Sequence, residues 1–238
     1  MLSAKPWRPE AVCLFVAAQF MCFLSGGLSA LLLQKEGVTG FKDLYDFGSI
    51  FLETFCFQGM TCILMGFFFY FHGLTWRDAL GFGKKNLPFA LLLALGAIII
   101  ALPLTYWLQG ECSLLMQKMH WIPKDEPAVT LVNSATSRAE EIYLAFYTVV
   151  LVPIAEEFTF RGLLFPFVKQ LGFPKIAWLG VSLLFALIHW NLPTLIPLFV
   201  LALILTWLYD FTDNLMAPIF AHSLFNIAGF ALLKYYPQ

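Results

Sequence analysis

The sequence predicts an all-α fold, a polytopic transmembrane helix bundle of about seven spans. Three observations predict it. Of 238 residues, 60% are hydrophobic and only 12% are charged, against roughly 25% charged in soluble domains. The mean hydropathy is +0.79. The apolar residues gather into runs of roughly 20, the length that crosses a bilayer as helix. A transmembrane barrel would instead show alternating segments of about 10 residues, and Leu198–Leu205 does not alternate.

The first run, Ala11–Leu33, follows Lys5 and Arg8, with Leu28-Ser29-Ala30 imitating a cleavage site. It exceeds the roughly 7–15 residues of a signal peptide's apolar core, so the sequence predicts a retained first helix. Further spans are expected at Ser49–Phe71, Leu87–Leu108, Ile142–Phe165, Phe173–Trp190, Leu195–Tyr209 and Asn214–Leu233, the sixth being short. Polar breaks separate them at Gly37–Asp46, Thr75–Asn86 and Gln109–Glu141. The last contains Pro123 and Pro127, and its Ser113–Trp121 portion reads as an interfacial helix. Gly172-Phe173-Pro174 and Asn191-Leu192-Pro193 read as tight turns. There is no internal repeat, and residues 1–238 read as one membrane domain.

Charge excludes other classes. A net charge of −1 offers no basic surface, so nucleic acid is not an expected partner. The five cysteines form no C-x-x-C pair and read as small apolar residues. Lys5, Arg8, Arg77, Lys84, Lys85, Lys169 and Lys175 fall on one side of the membrane. Lys35, Lys42, Lys118, Lys124, Arg138 and Lys234 fall on the other. That near balance leaves orientation undecided by the positive-inside rule.

The fourth span carries Glu156, Glu157 and Arg161. A charged residue at the bilayer centre costs roughly 2.5–3.5 kcal/mol, so three need a compensating arrangement. Glu157 and Arg161 stand four apart in the favourable order for an ion pair. Glu156 then has no local partner, which suits a carboxyl that accepts and returns a proton. His189 ends the fifth span, and His222 and Asn226 share one face of the seventh. Counted at ~1.5 Å per residue from the polar turns on one side, Glu156, His189, His222 and Asn226 fall in a common layer. Thr159 and Ser223 are supporting candidates, Glu53 reads as a headgroup-level residue, and Gln19 and Gln58 read as interhelical hydrogen bonders. The residues alone leave three readings open: a reactive centre, a pair that braces helix packing, and a proton or cation relay in a transporter.

At these positions the sequence resembles the CPBP family, the CAAX-protease and bacteriocin-processing intramembrane proteases, which include the type II CAAX prenyl endopeptidases. The pattern is E-E-x-x-x-R, F-x-x-x-H and H-x-x-x-N, present here as Glu156-Glu157…Arg161, Phe185…His189 and His222…Asn226. The resemblance covers roughly residues 143–233, and spans one to three carry no signature. It implies an intramembrane endopeptidase in which Glu156 activates a water that His189 helps to hold. His222 and Asn226 would stabilise the oxyanion, and Glu157 with Arg161 would position Glu156. It also implies a membrane-associated peptide or protein substrate within the lipid bilayer. A multi-pass location in a prokaryotic plasma membrane is expected. Zinc is the alternative cofactor, because two histidines and a carboxylate suit it. H-E-x-x-H is absent, so no cofactor is assigned, and metal-free glutamate chemistry is the preferred reading. A non-catalytic scaffold or immunity protein of the same fold is the remaining alternative. Oligomeric state is not read from the sequence.

Overall fold

The computed structural model describes every residue except 1, 4, 6, 42–45, 123–134, 136 and 236–238. The sequence readings that used Lys42, Pro123, Lys124 and Pro127 lie outside the described residues. Those described form an all-α bundle: α1 (Pro9–Lys35), α2 (Phe47–Phe71), α3 (Trp76–Leu80), α4 (Leu87–Lys118), α5 (Arg138–Gln170), α6 (Pro174–Leu187), α7 (Leu192–Thr212) and α8 (Met216–Tyr235). Six of these, all but α3 and α6, are long and apolar enough to cross a membrane.

Local chemistry sets the boundaries. Pro9 opens α1, where the missing N–H costs nothing. Ser137 and Glu140 form a reciprocal capping box at the start of α5. Asn191 caps α7 by accepting from the Thr194 amide at 3.1 Å.

Two expectations need correction. The fifth run, not the sixth, is the short one. After Leu187 the chain turns through Trp190 at φ +49, and α6 at ~1.5 Å per residue reaches only about 21 Å, short of the roughly 30 Å hydrocarbon core. The sixth run extends at both ends, because the Asn191 cap starts it early and Asp210 near its end is paired. The about seven spans read from the sequence are thus six long helices and one shorter apolar helix. The separate interfacial helix at Ser113–Trp121 is also not found, since α4 continues unbroken to Lys118.

Packing follows membrane logic. α4, α7, α8 and the end of α6 meet over Ala90, Ala94, Ala101, Ala186, Ala217 and Ala221, all fully buried. Small residues let helix backbones approach where no hydrophobic driving force operates between them. A second core is aromatic and joins α1, α2, α5 and α6. Phe158 stands edge-on to Phe15 at 5.5 Å and to Phe69 at 5.1 Å. Leu14, Leu92, Ile99 and Ile100 face outward, as lipid-facing side chains do.

One end of the bundle is closed by charge. Asp213 accepts from Ser3 at 2.7 Å and pairs with Lys5 at 2.7 Å and Lys84 at 2.9 Å. Asp210 pairs with Lys169 and accepts from the Leu2 amide and the Trp178 indole. Lys5, Lys84 and Lys169, read from the sequence as lying on one side, therefore converge there. Burial pushes the Asp213 carboxyl up, but hydrogen bonds from Lys5, Lys84 and Ser3 outweigh it and hold it at about 2. A carboxylate so depressed stabilises the fold above its ordinary value, and that contribution is lost as pH falls toward the folded-state value. The N-terminal tether is therefore expected to loosen between about pH 4 and pH 2. Trp7 fluorescence followed by acid titration checks this, and Asp213→Asn should remove the transition.

The same end holds a tight turn. Gly81 closes α3 at φ +91, and a Cβ there would stand 2.3 Å from Asn214 Oδ1. Asn214 in turn donates to the Gly81 carbonyl at 3.2 Å. Gly81→Ala is expected to cost about 1–3 kcal/mol through the left-handed backbone and the displaced amide. Thermal unfolding of the purified variant measures it.

Candidate active site

The site begins at a break in helical regularity. α5 contains two π-helical stretches, Tyr147–Leu151 and Phe158–Leu164, which flank the turn that carries Glu156 and Glu157. Such π turns occur often at functional sites. The second stretch is held from outside the helix, where the Trp7 indole donates to the Gly162 carbonyl at 2.8 Å.

Arg161 is fully buried, and every direction of its guanidinium is used. Nη1 donates to Glu157 Oε1 at 2.8 Å, Nη2 to the Ala202 carbonyl at 3.1 Å and Nε to Thr206 Oγ1 at 3.4 Å. The guanidinium carbon lies 4.5 Å from the centre of the Phe185 ring. Ser182 and Thr206 complete the set at 3.2 Å from each other. The cation is thereby solvated by α5, α6 and α7 instead of by water.

Glu157 Oε1 has a second partner, His222 Nδ1 at 2.8 Å. A carboxylate already paired with a guanidinium can only accept, so Nδ1 carries the hydrogen. Nε2 then faces Glu156, whose Oε2 stands 3.9 Å away. That separation exceeds a direct hydrogen bond. Glu156 Oε2 and Glu157 Oε2 are both buried and accept no hydrogen bond from the described residues.

The structure thus brings Glu156, Glu157, Arg161 and His222 into one cluster. The Glu157–Arg161 pair read from spacing is present, but it also fixes His222, so Glu157 acts on the imidazole as well as bracing its neighbour. His189 and Asn226 are each held by a backbone carbonyl instead. His189 Nδ1 donates to the Phe185 carbonyl at 2.8 Å, and its ring is 5.0 Å from the Phe185 ring, which lies 5.9 Å from that of His222. Asn226 Nδ2 donates to the Thr148 carbonyl at 2.7 Å. Thr159 serves packing: it donates to the Ala155 carbonyl and accepts from Gln19, which also reaches Thr61. Gln58 donates to the Tyr147 hydroxyl at 3.2 Å, so both glutamines bond between helices. Sequence reasoning missed Ser182, Thr206 and Tyr147. A hydroxyl at each position of otherwise apolar helices was the available signal.

His222 Nδ1 is engaged by Glu157 and His189 Nδ1 by the Phe185 carbonyl, which leaves Nε2 as the available nitrogen of each ring, the orientation metal-ligating histidines also use. Among the described residues no three histidine, cysteine or carboxylate side chains are grouped to hold a metal ion.

The fold defines a multi-pass integral membrane protein with a buried ionic cluster among its helices. Residues 138–228 match the family model described as "Type II CAAX prenyl endopeptidase Rce1-like", so this segment of the chain is similar to that family. It is 34% identical over 86 residues to the UPF0177 protein YxdF of Lactococcus lactis subsp. lactis (strain IL1403), a match covering 36% of this chain and 47% of that protein. The chain thus matches about half the length of that relative. No solved structure matches.

Proposed function

We propose that this protein is an intramembrane endopeptidase that hydrolyses a peptide bond with a water activated by Glu156, within a core spanning residues 143–233. The observation that carries this reading is the pairing of a partner-free buried carboxyl oxygen with an oriented imidazole nitrogen 3.9 Å away. A water hydrogen-bonded to both would bridge that gap.

Glu156 takes one proton from the water as the water oxygen attacks the carbonyl carbon. With its hydrogen on Nδ1, His222 accepts the second water hydrogen at Nε2 instead of donating to the oxyanion as the resemblance implied, and His189 flanks the water. The C=O π pair moves onto oxygen, where the remaining amide hydrogen of Asn226 stabilises it. Collapse breaks the C–N bond, and Glu156 returns its proton to the departing amine. Arg161 anchors Glu157 through their ion pair, and Glu157 keeps the His222 ring in its working tautomer.

The substrate is a membrane-associated peptide or protein, met in the plasma membrane of a prokaryote. The family description favours a prenylated C-terminal segment. Labelling new protein termini in membranes from cells with wild-type and Glu156→Gln protein tests the reading. Termini that depend on Glu156 are expected, and their absence removes the peptidase assignment.

A further inference from the structure

The polar cluster does not end at the motif residues. Tyr147 lies on the first π-helical stretch of α5, about two and a half turns before Glu156. Its hydroxyl oxygen accepts from Gln58 Nε2 at 3.2 Å. Gln58 comes from a π-helical stretch of α2, Thr54–Gly59, and its side chain is 4% exposed. Gln58 therefore fixes the phenol from a helix outside the family segment. The charged groups that face the phenol are Glu53 of α2 and Glu156 of α5. The neighbouring carbonyl, Thr148, is where Asn226 fastens α8 to α5.

Hydrogen-bond accounting gives the phenol a task. A tyrosine hydroxyl can accept and donate at once. Tyr147 accepts from Gln58, so its O–H hydrogen remains to be donated. Asn226 spends one of its two amide hydrogens on Thr148. The buried polar atoms left without a partner among the described residues are Gln58 Oε1, Tyr143 Oη, Glu156 Oε2 and Glu157 Oε2. Tyr143 stacks on Tyr147 with ring centres 6.4 Å apart. All four atoms thus belong to the ionic cluster or to residues touching Tyr147. A buried acceptor without a donor costs roughly 1–3 kcal/mol. A peptide laid along α2 and α5 offers alternating N–H and C=O groups that would satisfy such atoms.

We infer that Tyr147, held by Gln58, is a further catalytic residue that donates its hydroxyl hydrogen to the scissile carbonyl oxygen. This rests on the peptidase reading. It assigns α2 a part in the site: α2 supplies the amide that aims the phenol. Donation strengthens as negative charge builds on the carbonyl oxygen, so the contribution falls on turnover and not on binding. The proton remains on tyrosine, and no bond in the protein changes.

The test uses the full-length protein in detergent and two internally quenched peptides, one bearing a farnesylated cysteine and one unprenylated. Tyr147→Phe keeps the ring and its stacking on Tyr143. It is expected to lower kcat about 10²- to 10³-fold, the loss seen for one oxyanion donor, with KM changed less than about threefold. Replacing Tyr147 by 3,5-difluorotyrosine preserves the fold and the hydroxyl while making the phenol more acidic. The alkaline limb of the kcat profile is then expected to move to lower pH. Undiminished kcat in Tyr147→Phe, beside an inactive Glu156→Gln, overturns the assignment while leaving the peptidase reading intact. If Tyr147→Phe fails to fold, an unmoved alkaline limb in the fluorinated protein overturns it. Equal cleavage by wild-type and Glu156→Gln protein, or none by wild type, removes both readings together.

Discussion

Glu156→Gln is expected to fold as wild type and to lose at least 10²- to 10⁴-fold in turnover, the contribution of a positioned general base. The substitution keeps the side chain's shape and removes its ability to take a proton. Folding should survive because Glu156 is not part of the buried ion pair. It stands 3.9 Å from the His222 ring, and its Oε2 has no hydrogen bond among the described residues to lose. An amide there places a neutral group where a carboxylate had been buried, so the thermal midpoint should hold or rise. The measurement is paired: cleavage of the two quenched peptides and thermal unfolding of the same preparations. Full cleavage by the variant would end the glutamate mechanism. Loss of folding would show that Glu156 has a structural duty not visible in its contacts.

Arg161→Ala should have the opposite signature, with a loss of roughly 3–5 kcal/mol in stability, the usual cost of stranding one half of a buried pair. Arg161 and Glu157 are both fully buried, so removing the cation leaves a carboxylate with only the His222 hydrogen bond. It also frees the Ala202 carbonyl and Thr206 on α7 from their guanidinium partner and opens a space beneath the Phe185 ring. The double variant Glu157→Ala/Arg161→Ala should be less damaging than the sum of the two single changes, because the residues share one interaction. Thermal midpoints of the four proteins complete the cycle. Additive losses would show that the pair is not coupled in the way its geometry implies.

The two expectations separate what adjacent glutamates do. Neighbouring positions on one helix point about 100° apart, so one carboxyl can be consumed by structure while the other stays available. That division was legible from i, i+4 spacing alone. Its extension to His222 was not, because no spacing within a chain reveals which of two carboxylates a histidine 65 positions away will meet.

The boundaries show the same limit. Hydropathy located every long helix because lipid demands roughly 20 apolar residues per crossing, but it misjudged α6 and α7. An apolar run of 18 residues can end in a turn, as at Trp190, and a run interrupted by Pro193 and Asp210 can be one helix when a cap and an ion pair absorb the interruptions. The lysines of one end were assigned to a common side by counting crossings. Their convergence on Asp210 and Asp213 depends on contacts between residues about 40 to 210 positions apart.

The sequence by itself determined that this chain is a bundle of membrane-crossing helices, and it singled out glutamates, an arginine and two histidines as candidates for its chemistry, since charge is tolerated in hydrocarbon only for a reason. Tertiary structure alone decided which of them meet. It joined His222 to Glu157, set His189 across Phe185, and brought Gln58 from α2 to the Tyr147 hydroxyl. Those outcomes depend on helix rotation and close approach over small side chains, which arise only when separate helices pack.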